Sequence, residues 1–254
     1  MFPYRDENET QRTAFVNIAI IVVNILVWLF VEGAGASVAV ARAVCDLGLI
    51  PGELTGMVPP GTRFPMGEGL VCLTDPGRQI SHIFTSMFLH GSWMHLLGNM
   101  WFLRIFGDNI EDSMGHIRYA IFYLTCGVAA ALLQVFVSPA SGIPMVGASG
   151  AISGVMGGYL VLYPRVRVFA LLILGFFVTS IALPAWTMLL YWAAIQFVSG
   201  LFGLLSQDQG GVAFWAHTGG FVAGAVLIKL FARPGDVAAH QRHQWEPQKL
   251  VGRS

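Results

Sequence analysis

GASGAISGVMGG, residues 147–158, sets two serines among glycines in the middle of an apolar run. From Tyr119 to Pro164 the chain carries no Asp, Glu, Lys or Arg. So long an uncharged stretch reads as membrane-buried, and a hydroxyl inside it serves either helix packing or chemistry. Composition extends the reading to the whole chain. Of 254 residues, 55% are hydrophobic and 11% charged, whereas soluble domains carry about 25% charged residues. The expected class is an all-α, multi-pass membrane protein whose surroundings are the lipid bilayer. With 14 basic and 14 acidic residues the net charge is zero, which gives no footing for a nucleic-acid partner.

Spans follow from charge-poor windows at 14–31, 80–103, 119–138, 146–163, 184–205 and 212–231. Each approaches the roughly 20 residues a helix needs to cross the hydrocarbon. From Val168 to Gln207 the chain again lacks charge, but Pro184 leaves too little length before it for a crossing. Residues 168–183 are therefore read as dipping into the interface. Lys and Arg set the orientation. With the N-terminus inside, eleven fall in inner segments and only Arg42, Arg63 and Arg78 fall outside. The expected organisation is a cytoplasmic segment 1–13, a six-helix domain 14–231 and a polar, mobile cytoplasmic tail 232–254. Within the domain, the long external loop 32–79 is expected to hold short helices lying on the membrane.

Intramembrane polar residues are costly and need a reason. Taken alone, Ser149 reads as a packing hydroxyl. Its surroundings change that. Gly150, Gly154 and Gly158 form a stripe at four-residue spacing, and Gly220 and Gly224 form another just after His217. Such stripes let two helices approach closely. In the expected topology both helices run outside to inside, which puts Ser149 and His217 at similar depth. A serine nucleophile needs a base within about 2.6–3.2 Å, so this pair is a plausible dyad. The acid nearest in sequence, Asp208, is nine residues away and supports no triad. Four residues apart on one helix face, His95 and Asn99 can aim donors at a common point, with the Ser149 backbone N–H as a third. His90 lies on a different face and is read as structural or loop-binding. A zinc site built on the histidines lacks an H-E-x-x-H motif and an intramembrane carboxylate.

GASG at 147–150, HGSWMHLLGN at 90–99 and AHTGGFVAG at 216–224 together resemble the rhomboid family of intramembrane serine proteases. The resemblance spans residues 14–231 and implies a six-transmembrane-helix bundle of the rhomboid type with both termini cytoplasmic. It implies Ser149 as nucleophile, His217 as general base and acid, and His95 with Asn99 as oxyanion donors. His90, Gly147, Gly150, Gly220 and Gly224 are the implied supporting residues. The implied reaction is hydrolysis of transmembrane protein substrates near the outer membrane boundary, with no metal or cofactor. The cell (plasma) membrane is the expected location. A catalytically silent relative that binds transmembrane clients is the alternative.

Two features depart from that pattern. Ser81-His82 stands where many members carry Trp-Arg, and Ser153 stands where some carry an aromatic that stacks on the catalytic histidine. Trp186, Trp192 and Phe197 lie in a segment that resembles the helix proposed at the substrate entrance; as single residues they read as interfacial or lipid-facing aromatics. Cys45 and Cys72 share the external loop, where an oxidising exterior permits a bridge. The sequence leaves their separation open.

Overall fold

The computed structural model describes residues 2–67, 69–175, 177–206 and 212–245. In chain order the elements are β1 (Phe2–Asp6), α1 (Phe15–Phe30), α2 (Ser37–Leu47), α3 (Pro51–Thr55), β2 (Arg63–Gly67), β3 (Leu70–Leu73), α4 (His82–Thr85) and α5 (Trp93–Met114). They continue as α6 (His116–Val137), α7 (Ser149–Leu162), β4 (Arg167–Leu174), β5 (Phe177–Pro184), α8 (Ala185–Ser206), α9 (Phe214–Phe231) and α10 (Pro234–Trp245). Each of the six charge-poor windows holds a helix. By length and composition α6, α8 and α9 can each cross a membrane, while α1 and α7 are apolar but shorter.

The window at 80–103 is misplaced against the observed helix. Residues 82–88 form only short turns, and α5 begins at Trp93, where the Ser92 hydroxyl accepts the His95 backbone N–H. That serine cap fixes the start. The helix then runs on to Met114 through Arg104, Asp108, Glu111 and Asp112, and its three carboxylates find partners. Glu111 accepts the N–H groups of Val16 and Asn17 at 3.0 and 2.7 Å, satisfying the open first turn of α1.

The molecule is mostly helical, as expected of an all-α membrane protein, and short strands add to the helices. Residues 168–183 lie within a hairpin, β4 and β5, whose register pairs Arg167 with Pro184 and returns the chain to its starting point. The run is rich in β-branched and aromatic residues, and Gly175 at φ +61° makes the turn. Strand β1 adds to β4 and completes a three-stranded sheet. Asp6 closes β1 onto the helices by accepting from the Tyr159 hydroxyl at 2.5 Å and from Asn109 Nδ2 at 3.1 Å. Burial pushes its carboxyl up to about 7, against the pull of the Tyr159 hydrogen bond. Segment 32–79 holds the short helices expected of it and also the hairpin β2–β3. A Cys45–Cys72 disulfide, with Cα atoms 5.5 Å apart, ties that hairpin to α2. In the tail, Pro234–Trp245 is helical rather than loose; residues 246–254 lie outside the described residues.

The core lies where α5, α6, α7 and α9 meet, around Leu103, Phe106, Phe122, Tyr123, Val155 and Tyr159, all fully buried. Contact between α7 and α9 is backbone on backbone. A Cβ added at Gly220 would lie 1.9 Å from the Gly150 carbonyl oxygen, and one at Gly224 would lie 1.9 Å from that of Gly154. The pairs 150 with 220 and 154 with 224 advance together, so the two helices run parallel. Gly150 and Gly154 face α6 as well, against Ala130 and Cys126. Gly157, which the four-residue stripe omits, also touches α9, at the Phe221 carbonyl.

Candidate active site

Ser149 is the first residue of α7 and His217 the fourth of α9. Because these helices are parallel and joined at the glycines, their N-terminal ends lie side by side. Ser149 Oγ and His217 Nε2 are 2.7 Å apart. Ser153, the other hydroxyl in the run, donates to the Ser149 carbonyl at 2.6 Å and is occupied within its own helix.

Two partners of His217 come from α8 and escaped the sequence reading. Gln196 Oε1 lies 2.7 Å from Nδ1, and the Trp192 ring lies 5.8 Å from the imidazole centroid. Trp192 thus supplies the aromatic contact that Ser153 cannot. The signal was present: Gln196 is the only amide side chain between Trp186 and Ser206, and a polar group in an apolar helix calls for a partner. Trp186 and Phe197 are exposed, as surface aromatics are. Asp208 lies outside the described residues.

On the other side of the serine, α5 brings His95 and Asn99. The Gly91 N–H approaches His95 Nδ1 at 3.5 Å, and Nε2 is the ring nitrogen turned toward Gly147. That nitrogen would lie 2.7 Å from a Cβ at Gly147, so the ring rests directly on the Gly147 backbone. Gly147 sits at φ +124°, a conformation open to glycine and strained for any side chain. Its N–H is held by the Ser86 carbonyl at 2.9 Å. Asn99 is buried, and its Nδ2 has no hydrogen-bond partner among the described residues. The first N–H groups of α7 lack intrahelical acceptors, as at any helix N-terminus, and they favour negative charge at Ser149.

His90 is fully buried, with its ring edge-on to His95 at 5.1 Å. Its backbone N–H donates to Glu32 at 2.7 Å. Glu32, just beyond α1, is itself buried; burial pushes its carboxyl up to about 7 while the His90 N–H pulls it down. Trp93 adds a hydrogen bond to the Ala34 carbonyl and an edge contact with Trp28. The chain after α1 is therefore fastened to the start of α5. His82, in the place of the absent Trp-Arg pair, is buried in α4. A cavity of about 1350 Å³ is lined by Ser149, His217, His95, Asn99 and Trp192, among others.

Residues 77–234 match the family model described as the Rhomboid domain. Among curated proteins, the chain is 31% identical over 154 residues to Rhomboid-like protein 11, chloroplastic, of Arabidopsis thaliana, covering 59% of this chain and 51% of that protein. It is 37% identical over 84 residues to RHOMBOID-like protein 6, mitochondrial, of the same plant, covering 33% and 27%. It is 31% identical over 156 residues to Rhomboid-like protease 5 of Toxoplasma gondii, covering 59% and 16%. The chain thus spans about half the length of these relatives or less. Two of the names specify the chloroplast and the mitochondrion, so kinship gives no support to the plasma membrane expected from the sequence.

Proposed function

The chain belongs to the rhomboid family and is an integral membrane protein, and from that premise we propose that it is a serine endopeptidase that cleaves transmembrane proteins within the membrane. What carries this reading is the 2.7 Å contact between Ser149 Oγ and His217 Nε2 at the abutting ends of two parallel helices. The name of the Toxoplasma relative, a protease, lends it support.

In the proposed reaction Ser149 Oγ–H donates to His217 Nε2. As Oγ attacks the scissile carbonyl carbon, its proton passes to Nε2 and the carbonyl oxygen becomes an oxyanion. His95 Nε2–H, Asn99 Nδ2–H and the Ser149 N–H are the donors for that charge. Collapse of the tetrahedral intermediate breaks the C–N bond, and His217 returns the proton to the departing amine. Water, deprotonated by the same nitrogen, then releases the acyl group from Ser149. All of this is work for side chains and backbone of this chain, with no cofactor.

The domain plan belongs to the same proposal. Six helices within 14–231 cross the bilayer, the segment 1–13 and the tail 232–254 are cytoplasmic, and the dyad lies near the outer boundary. The Lys and Arg distribution supports this orientation, and so does the return of the β4–β5 hairpin to its origin.

The test is incubation of the purified protein with a model transmembrane substrate in lipid vesicles, with the cut located by mass spectrometry. Ser149→Ala and His217→Ala each abolish cleavage in folded protein, since members of a unit fail together. Ser153→Ala retains it. Substrate that binds without being cut would identify a silent, client-binding relative instead.

A further inference from the structure

Among the residues of α8 from Tyr191 to Ser199, the side chains of Tyr191, Ile195, Phe197 and Val198 are exposed and Gln196 alone is buried. The helix turns a lipid-like surface outward and sends one amide inward. Its Oε1 meets His217 Nδ1 at 2.7 Å, and one turn earlier on the same face Trp192 lies against the imidazole. We infer that Gln196 is the positioning residue of the dyad: its carbonyl accepts the Nδ1–H of His217 and so holds Nε2 unprotonated and aimed at Ser149. The inference rests on the proposed peptidase reading.

The chemistry runs through tautomers. For His217 to take the serine proton, Nε2 must present a lone pair, so the single ring proton of the neutral imidazole must sit on Nδ1. A free neutral imidazole holds no such preference, and the wrong tautomer cannot act as base. An acceptor at Nδ1 selects the competent form. Aspartate fills that role in the Ser-His-Asp triad. Here a neutral amide does the same orienting work without placing a bare negative charge in an apolar helix bundle, which would be costly.

Because the amide is carried by α8, the arrangement links the base to that helix. Displacing α8 from α9 would break the Gln196 and Trp192 contacts together. Imidazole geometry would then depend on whether α8 is seated, although neither residue touches the reacting atoms.

The experiment compares full-length wild type with Gln196→Leu and Gln196→Glu. Leucine removes the acceptor at similar bulk; glutamate keeps an acceptor and adds charge. The first readout is the ring ¹⁵N spectrum of His217, assigned by its loss in His217→Ala. Wild type is expected as the Nδ1–H tautomer, Gln196→Leu as a mixture of tautomers, and Gln196→Glu as Nδ1–H again. The second readout is the pH profile of transmembrane-substrate cleavage, corrected for the folded fraction. Gln196→Leu is expected to lower kcat by about 10- to 100-fold with KM little changed. Gln196→Glu is expected to recover most of that loss and to move the acid limb to higher pH, because a carboxylate favours the imidazolium.

A Gln196→Leu protein that keeps the Nδ1–H tautomer, or that matches wild-type kcat when folded, overturns the inference while leaving the peptidase reading intact. Failure of wild type to cleave, with the tautomer still shifting in Gln196→Leu, has the opposite meaning: positioning stands and the peptidase reading falls. A thermal midpoint lowered in Gln196→Leu, with an unchanged pH profile in Gln196→Glu, assigns Gln196 to packing and overturns the inference as well.

Discussion

Alanine at Gly224 adds one methyl group seven residues, or two helical turns, beyond His217. That methyl carbon would lie 1.9 Å from the Gly154 carbonyl oxygen, whereas Cβ atoms essentially never approach other atoms within 3.0 Å. The obstruction is backbone, so no rotamer relieves it. Helices α7 and α9 must part locally by about 1.1 Å, at a cost of about 1–3 kcal/mol for overpacking. A stiff helix carries much of that shift along its axis to the dyad. If half of it arrives at His217, the 2.7 Å contact with Ser149 stretches to the edge of the range in which a general base works. A misplacement on the scale of 1 Å costs about 10²-fold in rate. Gly224→Ala is therefore expected to lose about 10²-fold in cleavage, and in labelling of Ser149 by a fluorophosphonate, although it alters no group that takes part in the chemistry. Both rates are measured per folded molecule, with the fold verified by circular dichroism and thermal melting. Gly235→Ala, where the added methyl meets nothing within 4 Å, serves as the control and keeps wild-type rates. A folded Gly224→Ala protein that labels and cleaves at wild-type rates would refute the claim that glycine-mediated backbone contact sets the dyad distance.

Other expectations concern separate parts of the molecule. Asn99→Ala should lower kcat by about 10²–10³-fold and leave KM nearly unchanged, as loss of an oxyanion donor does; normal turnover with a lowered thermal midpoint would make Asn99 a packing residue. Reducing the Cys45–Cys72 bridge, which closes a separation of 27 residues, removes about 3.5 kcal/mol of chain-entropy restraint. Proteolysis of segment 56–75 should then speed up well before the helices melt, and equal rates with and without reductant would contradict this. Asp6, whose burial raises it from the ordinary 3.8 to about 7, favours the folded state when protonated. Docking of β1 is thus strongest below pH 4 and is lost progressively as pH rises through 7, by about 1–2 kcal/mol once solvent access to this partly exposed carboxyl is allowed for. Hydrogen exchange of β1, corrected for intrinsic rates, should show less protection at pH 8 than at pH 6 in wild type and little difference in Asp6→Asn; equal protection in wild type would reject the assignment.

What the sequence disclosed follows from which forces act over short stretches of chain. Apolar length is such a signal, and each of the six charge-poor windows contains a helix for that reason. The contact between Ser149 and His217 was legible because serine and histidine are costly in apolar helices, and because two glycine stripes declared a close approach. Where a helix starts depends instead on one side chain. Ser92 caps α5 at Trp93, and no count of charges between 80 and 103 carries that information. The far end of α5 fails by the same method, since Glu111 is stabilised by the open N–H groups of α1, more than 90 residues earlier. For 168–183, Pro184 marks where the hairpin ends and α8 begins. The β4–β5 pairing is local, and what the run itself does not carry is the third strand, β1, from the start of the chain.

The surroundings of His217 show why a site is harder to read than a dyad. Ser149 and His217 were linked by two local patterns that implied each other. Gln196 and Trp192 lie in a third helix with no glycine stripe to announce its contact, and most of its surface faces outward. Their only mark is chemical: an amide and an indole four residues apart can meet the same ring from one face of α8. A histidine in an apolar bundle with no carboxylate beside it among the described residues still needs an acceptor for its Nδ1 proton if it is to serve as base. Asking where that proton goes singles out the amides of the helices packed against α9. Gln134 on α6 is already engaged by the Ala216 N–H at 3.2 Å. Gln196 remains, and the structure sets it 2.7 Å from Nδ1.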